Sequence, residues 1–283
     1  MEEKINQLIQ ERNPWLLKKS FLSKIIYKIL KILLRYDETI YVGNHIQSMS
    51  GKEAFNWLGD EYTSKCTTKG LENIPENGRF LIVSNHPMGA ADAIALYHQI
   101  YPLRKDLFFF ANELFVYLLG TFHELLAPVV WNKDKETHSA NKTTLERLGI
   151  FFRDERGGII FPSGRLSKLT LFGLWDRPWE KTPIMLAKKY NFPLIPVHVE
   201  GKNSWFFYFA SYLNKQLRDV SQLNELFNKR GTKISINIGK PLNANQLSSN
   251  NDIAVKQLRY KSESLRKKTL FNLNKHIYLR KYK

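Results

Sequence analysis

The sequence predicts an α/β protein in which a mixed, mostly parallel central sheet is flanked by helices and preceded by an N-terminal amphipathic helical region. Short apolar runs begin near residues 80, 158, 194 and 233, and each has a length typical of a buried strand. Helix-like segments separate these runs, and strands that alternate with helices indicate an α/β domain. Because ligands in such sheets bind beyond the carboxyl ends of the strands, functional residues are expected where these runs end.

Chain length and charge limit the possible organisation and partners. The chain has 283 residues, with 43 Lys and Arg against 26 Asp and Glu, which gives a net charge of +17. We expect a helical region at 1–67, the α/β domain at 68–245 and a basic C-terminal helix or tail at 246–283. The excess positive charge indicates an anionic partner such as a nucleic acid, a membrane surface or an acidic carrier protein. The single cysteine, Cys66, excludes an internal disulfide and a cysteine-cluster metal site.

Residues 18–36 have the pattern of an amphipathic helix. Basic residues recur there at spacings of four, three and four, which places them on one helical face: Lys24, Lys28, Lys31 and Arg35. The opposite face is rich in isoleucine. This pattern fits a helix that lies in a membrane interface, and equally an ordinary helix packed on the core. No uninterrupted apolar stretch of about 18 residues is present, so no membrane-spanning helix is predicted.

The first strand end carries the most distinctive candidate site. His86 follows the apolar run, Pro87 disfavours helical geometry for it, and Asp92 falls in the first turn of a helix expected to begin near residue 90. A neutral imidazole can accept a proton from a hydroxyl, and a carboxylate can fix its tautomer and stabilise the imidazolium. Alone, such a pair is more often a loop histidine and a helix-start acid, because short motifs recur by chance. His45 also follows an asparagine, but it lacks this context and is not predicted to be functional.

A second strand end, after the apolar run at 157–161, also carries polar residues. Backbone amides in the turn at Gly164, together with Arg165, form a plausible anion site. Ser163 is not a nucleophile-elbow serine, because Phe161 and Arg165 occupy the two positions where that motif needs glycine. By itself this segment is more simply a plain strand and turn.

The remaining segments are assigned from apolar periodicity and turn residues. They are buried or interfacial helices at 107–130, a surface loop at 131–141, helices at 141–153, 182–190 and 223–229, and strands at 192–199 and 234–238. His198 is expected to be a packed core or edge histidine rather than a second base. The aromatic run at 205–209 is either core or a surface that faces an acyl chain or a membrane.

Four stretches, in order, resemble the glycerolipid acyltransferases, the family of 1-acylglycerol-3-phosphate acyltransferases. They are residues 84–92, 127–135, 160–167 and 193–197, and the resemblance extends over about residues 68–242. Asp92 stands one residue farther from His86 than is usual in the family, a spacing that needs a bulged turn of the kind that Gly89 permits. Ser163 replaces the usual glutamate. A bacterial hemolysin-like subgroup, which includes lyso-ornithine-lipid acyltransferases, is similar in both respects.

The resemblance implies O-acyl transfer from a thioester on acyl carrier protein or coenzyme A to a lysolipid hydroxyl. The acceptor would be lyso-ornithine lipid, another lyso-aminolipid or lysophosphatidate. It implies that His86 removes the hydroxyl proton, that Asp92 orients and supports His86, and that the Gly164 amide and Arg165 stabilise the oxyanion. The implied substrate-binding residues lie in the first three stretches: Asn85, Gly89, Lys133, Lys135, Phe161, Pro162, Ser163, Gly164, Arg165 and Ser167.

No cofactor or metal is expected beyond the thioester co-substrate. The expected location is peripheral, against an anionic membrane at the cytoplasmic face of a bacterial inner membrane, without a specific nucleic acid. Two alternatives remain. A nucleic-acid-binding protein predicts strongly salt-dependent binding and no effect of His86→Ala. A catalytically degenerate membrane scaffold predicts liposome binding without turnover.

Overall fold

The computed structural model describes residues 35–112, 120–129, 138–171, 173–213 and 215–267, together with a few single positions before residue 35. Within these residues, seven strands form one sheet and two form a separate hairpin. The sheet strands are β1 (Cys66–Lys69), β2 (Phe80–Ser84), β3 (Phe108–Asn112), β4 (Leu126–Val129), β5 (Gly157–Ile160), β8 (Leu194–Glu200) and β9 (Ile234–Ile238). The hairpin consists of β6 (Lys168–Thr170) and β7 (Gly173–Trp175).

The sheet has the strand order β1-β9-β8-β2-β5-β3-β4. The five strands from β8 to β4 run parallel to one another, whereas β9 is antiparallel to β8 and pairs in parallel with β1. β2 lies between β8 and β5, and Leu81 is paired with Leu194 on one side and with Gly158 on the other. The predicted mixed, mostly parallel sheet is confirmed.

Helices cover both faces of the sheet. In chain order they are α1 (Tyr36–Gln47), α2 (Gly51–Thr63), α3 (Ala90–Ile100), α4 (His138–Arg153), α5 (Thr182–Tyr190), α6 (Trp205–Leu213), α7 (Lys215–Phe227) and α8 (Asn251–Ser264). Short 3-10 turns occur at Leu71–Asn73, Gly120–Glu124 and Ala244–Gln246. Helices α1, α2, α3 and α7 contribute to the core on one face, and α4, α5 and α8 contribute to the core on the other.

β2 is buried along its whole length because helices cover both of its faces. Phe80 and Ile82 pack into one core, and Leu81 and Val83 pack into the other. A strand buried on both faces is expected to be continuously apolar rather than alternating. At Gly157 in β5, a Cβ atom would lie 2.4 Å from the Phe80 ring, so only glycine lets the two strands pack this closely. The polar residues that follow β2 are therefore held at the centre of the sheet.

The fold corrects the sequence prediction for the segment that contains β3 and β4. Of the helices predicted at 107–130, the described residues instead form β3, the 3-10 turn at Gly120–Glu124 and β4, while residues 113–119 and 130 lie outside the described part of the chain. A short apolar run buried on both faces has no periodicity that separates a strand from a helix. Within 246–283, for which a basic helix or tail is predicted, α8 packs on β8, and Ala254 and Leu258 are fully buried. Residues 268–283 lie outside the described part of the chain.

Candidate active site

The carboxyl end of β2 presents His86, whose side chain is 20% exposed. Phe161, the residue that follows β5, stacks on the imidazole with ring centroids 4.1 Å apart and planes inclined by 22°. Phe161 is itself buried. Because β5 is the immediate neighbour of β2, this contact lets one strand fix the orientation of the ring carried by the other.

Asp92 lies beside the inner edge of the imidazole. Its Oδ2 atom is 2.9 Å from Nδ1 of His86, and the Asp92 side chain is fully buried. The ring nitrogen is not well aligned with Oδ2, so the contact is a close polar contact rather than a directed hydrogen bond. Such contacts often become better aligned only when substrate is bound. Nε2 has no recorded hydrogen bond to any described residue, which leaves it able to accept a proton.

The turn between His86 and α3 accommodates the longer spacing as expected. The Met88 and Gly89 N–H groups both donate to Asp92 Oδ2, at 2.8 and 3.0 Å. Gly89 has φ +79°, a conformation that L residues with a side chain rarely adopt. The bulge thereby directs Asp92, in the first turn of α3, back toward the histidine.

A second buried carboxylate, Asp176, supports the same turn, and sequence reasoning missed it. Asp176 accepts hydrogen bonds from Ser167 Oγ at 2.9 Å and from Trp179 Nε1 at 2.6 Å. The backbone N–H of His86 lies 3.4 Å from its Oδ1 atom. Burial raises the pKa of Asp176, and the hydrogen bonds from Trp179 and Ser167 oppose that shift. Its carboxylate therefore connects the histidine turn to the loop that follows β5.

The loop after β5 differs in one respect from the expected oxyanion site. The Gly164 N–H donates to the Phe161 carbonyl at 2.9 Å, so it is not free to bind an oxyanion. Ser163 Oγ donates to the Arg165 carbonyl at 2.8 Å. The Arg165 side chain is exposed and makes no hydrogen bond or ion pair with a described residue. Arg165 thus remains the anion-binding candidate of this loop.

Asn85, Pro162 and Ser167 have backbone-positioning contacts. The Asn85 side chain exchanges two hydrogen bonds with the backbone of Val199 in β8, at 2.9 and 2.7 Å. The Ser167 N–H donates to the His86 carbonyl at 2.8 Å, and the Pro162 carbonyl accepts from the backbone of the loop before α5 at 3.0 Å. These contacts explain how β2, β5 and β8 hold one rigid turn around His86.

The comparison with known families agrees with this geometry. A family model described as "Acyltransferase" matches residues 9–277. The chain belongs to the acyltransferase family.

Two curated relatives of this acyltransferase have the same name, lyso-glycine lipid O-acyltransferase. The protein from Phocaeicola vulgatus is 28% identical over 235 residues, which cover 80% of this chain and 81% of that protein. The protein from Bacteroides thetaiotaomicron is 27% identical over 231 residues, covering 78% and 82%. Among solved structures, the 1-acyl-sn-glycerophosphate acyltransferase PlsC from Thermotoga maritima matches with a TM-score of 0.45 and 21% identity, over 82% of this chain and 80% of that chain.

The other lysines and histidines considered in the sequence of the acyltransferase lie away from the His86 turn or outside the described residues. Lys133 and Lys135 lie outside the described residues. His45 stacks against Tyr41 and contacts Trp57, in a surface setting that agrees with its exclusion from the site. His198 is buried in β8, as expected for a packed histidine.

A second histidine–aspartate pair is present on the helices of the acyltransferase. His98 Nε2 in α3 lies 3.0 Å from Asp60 Oδ1 in α2, and the His98 side chain is 22% exposed. Asp60, however, is 75% exposed, whereas Asp92 is fully buried. The His86 pair therefore differs from this surface pair by its buried carboxylate and its place at a strand end.

A buried ion pair in the acyltransferase connects Glu225 of α7 with Lys229, which follows that helix. Lys229 Nζ is 3.2 Å from Glu225 Oε2, and both side chains are almost completely buried. Glu225 also accepts from the N–H of Ser204 at 2.8 Å and from its hydroxyl at 2.5 Å. Burial lowers the pKa of Lys229, and the charges of Glu225 and Asp92 oppose the shift. The lysine therefore lies within electrostatic range of Asp92.

A small cavity of mixed polar and apolar lining lies beside the turn, next to Asn85 and Pro87, and the His86 side chain does not line it. Its volume is about 100 Å³, room for a few water molecules and not for an acyl chain. Its lining includes Asn85, Asp176, Glu200, Glu263 and Arg266.

Proposed function

We propose that the protein transfers a fatty acyl chain from a thioester to a hydroxyl of a lysolipid. The observation that carries the proposal is the fully buried Asp92 carboxylate 2.9 Å from His86 Nδ1, beside a partly exposed imidazole. A histidine held in this way can act as a general base on a hydroxyl that approaches from solvent or from a membrane surface.

The proposed step uses His86 Nε2 to accept the proton of the acceptor hydroxyl. The hydroxyl oxygen then attacks the thioester carbonyl carbon and forms the new C–O bond. The C–S bond breaks, and the leaving thiolate takes the proton back from His86. Asp92 stabilises the imidazolium that exists between these events, and the Phe161 stack keeps the ring in place. General base catalysis supplies about 10²- to 10⁴-fold.

Arg165 is proposed to bind negative charge next to this base. Its guanidinium is exposed, and the backbone of its loop is fixed to the His86 turn through Ser167. Because the Gly164 amide is already bonded to Phe161, Arg165 rather than that amide is proposed to bind the anionic group of the acceptor. A guanidinium binds carboxylates and phosphates in a bidentate manner.

A lyso-aminolipid is the proposed acceptor. Both curated relatives have the name lyso-glycine lipid O-acyltransferase, and each alignment covers about four-fifths of both proteins. In the third stretch, Ser163 occupies the position of the glutamate that is usual in lysophosphatidate enzymes. Its hydroxyl is bonded within the loop, to the Arg165 carbonyl. An acceptor with a carboxylate head would still be recognised by Arg165.

The proposed donor is acyl carrier protein or coenzyme A. Both are anionic, and the net charge of +17 favours association with either one. The donors are distinguished by which one supports turnover at equal concentration.

We propose peripheral association with an anionic membrane, at the cytoplasmic face of a bacterial inner membrane. Of the amphipathic segment at 18–36, three described isoleucines form an exposed stripe: Ile25, Ile29 and Ile32, at 40%, 50% and 71% exposure. Their exposure favours an interfacial helix over one packed on the core. Among the described residues, no helix combines the length and apolarity required to cross a bilayer.

The test is an acyl-transfer assay with labelled acyl-carrier-protein and coenzyme A thioesters against lyso-glycine lipid, lyso-ornithine lipid and lysophosphatidate. The proposal predicts product with a lyso-aminolipid. It also predicts that Arg165→Gln raises KM for that acceptor about tenfold, as expected for loss of a charged contact, while the exposed Arg153→Gln control does not. Product from no acceptor would refute the proposed activity. A preference for lysophosphatidate would refute the proposed acceptor alone.

A further inference from the structure

Helix α6 exposes an aromatic face that no described element covers. Its four exposed members recur at helical spacing: Trp205, Phe209, Tyr212 and Leu213, with exposures of 79%, 61%, 88% and 58%. Phe207 and Ala210, on the opposite side of the helix, are 2% and 3% exposed. The helix is therefore anchored by one face and presents a contiguous apolar surface with the other, which is uncommon for a surface without a partner.

The anchoring of α6 is firm and is linked to the catalytic turn. The Ser204 hydroxyl accepts the Phe207 N–H at 3.2 Å, and buried Glu225 of α7 holds Ser204 in turn. Gly201, at the end of β8, is so close to Met88 that a Cβ atom there would lie 2.2 Å from the Met88 sulfur. Because Met88 also donates its N–H to Asp92, the segment that leads into α6 packs directly on the turn of the active site.

We propose that this face of α6 docks onto an anionic lipid bilayer and brings the His86 turn to its lipid substrates. The inference rests on the proposed function for the choice of a bilayer as the occupant. Tryptophan and tyrosine are the side chains that favour the headgroup level, and both stand on this face. Exposed Lys202 precedes the helix, and the net charge of +17 attracts the protein to anionic lipids.

The composition of the face agrees with a bilayer more than with a buried protein interface. Its exposed positions are large and apolar or amphipathic, without an acid to oppose negative headgroups. Helix α6 follows β8, the parallel neighbour of β2 whose carboxyl end carries His86, so a docked helix would bring this end of the sheet toward the lipid surface. A soluble acceptor would not need this docking, whereas a membrane-embedded acceptor would.

The experiment compares binding to vesicles that contain phosphatidylglycerol with binding to phosphatidylcholine vesicles. The variant is the triple substitution Trp205→Ser, Phe209→Ser and Tyr212→Ser. The matched control replaces three exposed apolar residues elsewhere: Leu103→Ser, Leu145→Ser and Ile253→Ser. We expect the α6 variant to lose at least tenfold in partition onto anionic vesicles and the control to stay within twofold.

A second measurement does not depend on the fold of the triple variant. With brominated lipids in the anionic vesicles, we expect part of the tryptophan fluorescence to be quenched, and that part to be missing in Trp205→Phe. Unchanged vesicle binding of the triple variant, equal quenching in Trp205→Phe, or conversion of a wild-type oligomer to monomer by the triple substitution would each overturn the proposal. The last result would make the face an interface between copies.

Activity separates this inference from the proposed function. Acylation of a water-soluble short-chain acceptor should stay within twofold in the α6 variant, while acylation of a vesicle-embedded acceptor should fall. If the wild type binds vesicles through this face but transfers no acyl chain to any acceptor, the proposed activity fails and the docking surface stands. If it transfers the chain and the α6 variant works equally well on vesicles, the docking surface fails alone.

Discussion

Replacing Asp92 by asparagine removes one negative charge from the site and changes little else. The amide oxygen of asparagine can take the position of Oδ2 and still accept the N–H groups of Met88 and Gly89, at 2.8 and 3.0 Å. The turn should therefore persist. The lost interaction is the one between the carboxylate and the imidazolium that forms when His86 accepts a proton, across 2.9 Å.

The size of the effect follows from that distance. Two unit charges 2.9 Å apart interact by roughly 6 kcal/mol at an effective dielectric constant of about 20. Since about 1.4 kcal/mol corresponds to tenfold in rate, the upper limit on the loss is about 10⁴-fold in kcat. The imperfect alignment of the Nδ1–H bond makes a loss of about 10²- to 10⁴-fold the expected range.

The assay is single-turnover acyl transfer to a lyso-aminolipid, with urea unfolding measured in parallel. Asp92→Asn should lose less than about 2 kcal/mol of unfolding free energy, because the backbone hydrogen bonds remain. The control is Asp252→Asn, an acid in the first turn of α8 that is 62% exposed and paired with Lys181. Activity of Asp92→Asn within about threefold of the wild type, in a folded protein, would refute the assigned role of this carboxylate.

Three further predictions concern stability, reactivity and the turn. Lys229→Met leaves Glu225 buried without its partner and should lower the unfolding free energy by about 3–5 kcal/mol in urea titrations. The control Lys181→Met, which removes one partner of an exposed ion pair, should lower it by less than about 1 kcal/mol. Burial raises the pKa of Cys66 from 9.0 to about 11, which lowers the fraction of reactive thiolate. At about pH 8, its reaction with a thiol reagent should therefore be roughly a hundredfold slower in the folded protein than in the urea-unfolded protein. Gly89→Ala places a side chain at φ +79°, which should cost about 1–2 kcal/mol in unfolding free energy and lower kcat, measured in the same two assays.

Each of these predictions has a clear contrary result. Equal stability losses at the buried and exposed lysines would show that Lys229 is not a buried charge partner. Fast modification of the folded Cys66 would contradict the burial of its thiol. Full activity and stability in the glycine variant would contradict the backbone conformation assigned to that turn.

Features with a local signal in the chain could be predicted. The apolar runs of β2, β5, β8 and β9 are short and bounded by turn residues, and all four are strands of the sheet. The His86–Asp92 pair was predictable because seven consecutive residues, 86–92, contain both side chains and the glycine that bends the chain between them. The geometry of this pair agrees with the resemblance on which the catalytic assignment depends.

Features that depend on distant contacts could not be predicted. Asp176 reaches the histidine turn across 90 positions of sequence, and nothing in its own loop marks it as buried. The Glu225–Lys229 pair looks like an ordinary solvated helical pair in the sequence, and it is buried only in the folded protein, where α7 packs against α6 and α3. The Gly164 amide was assigned to an oxyanion because a glycine turn often binds anions, but its actual partner is a carbonyl three residues earlier.

The most direct test of the account compares His86→Ala with His98→Ala in acyl transfer to a lyso-aminolipid. The two histidines are almost equally exposed, at 20% and 22%, and each lies about 3 Å from an aspartate. The account predicts that the wild type and His98→Ala transfer the acyl chain at similar rates and that His86→Ala loses at least about 10²-fold. Equal rates for all three proteins, or no transfer by the wild type with any thioester and lysolipid, would contradict it.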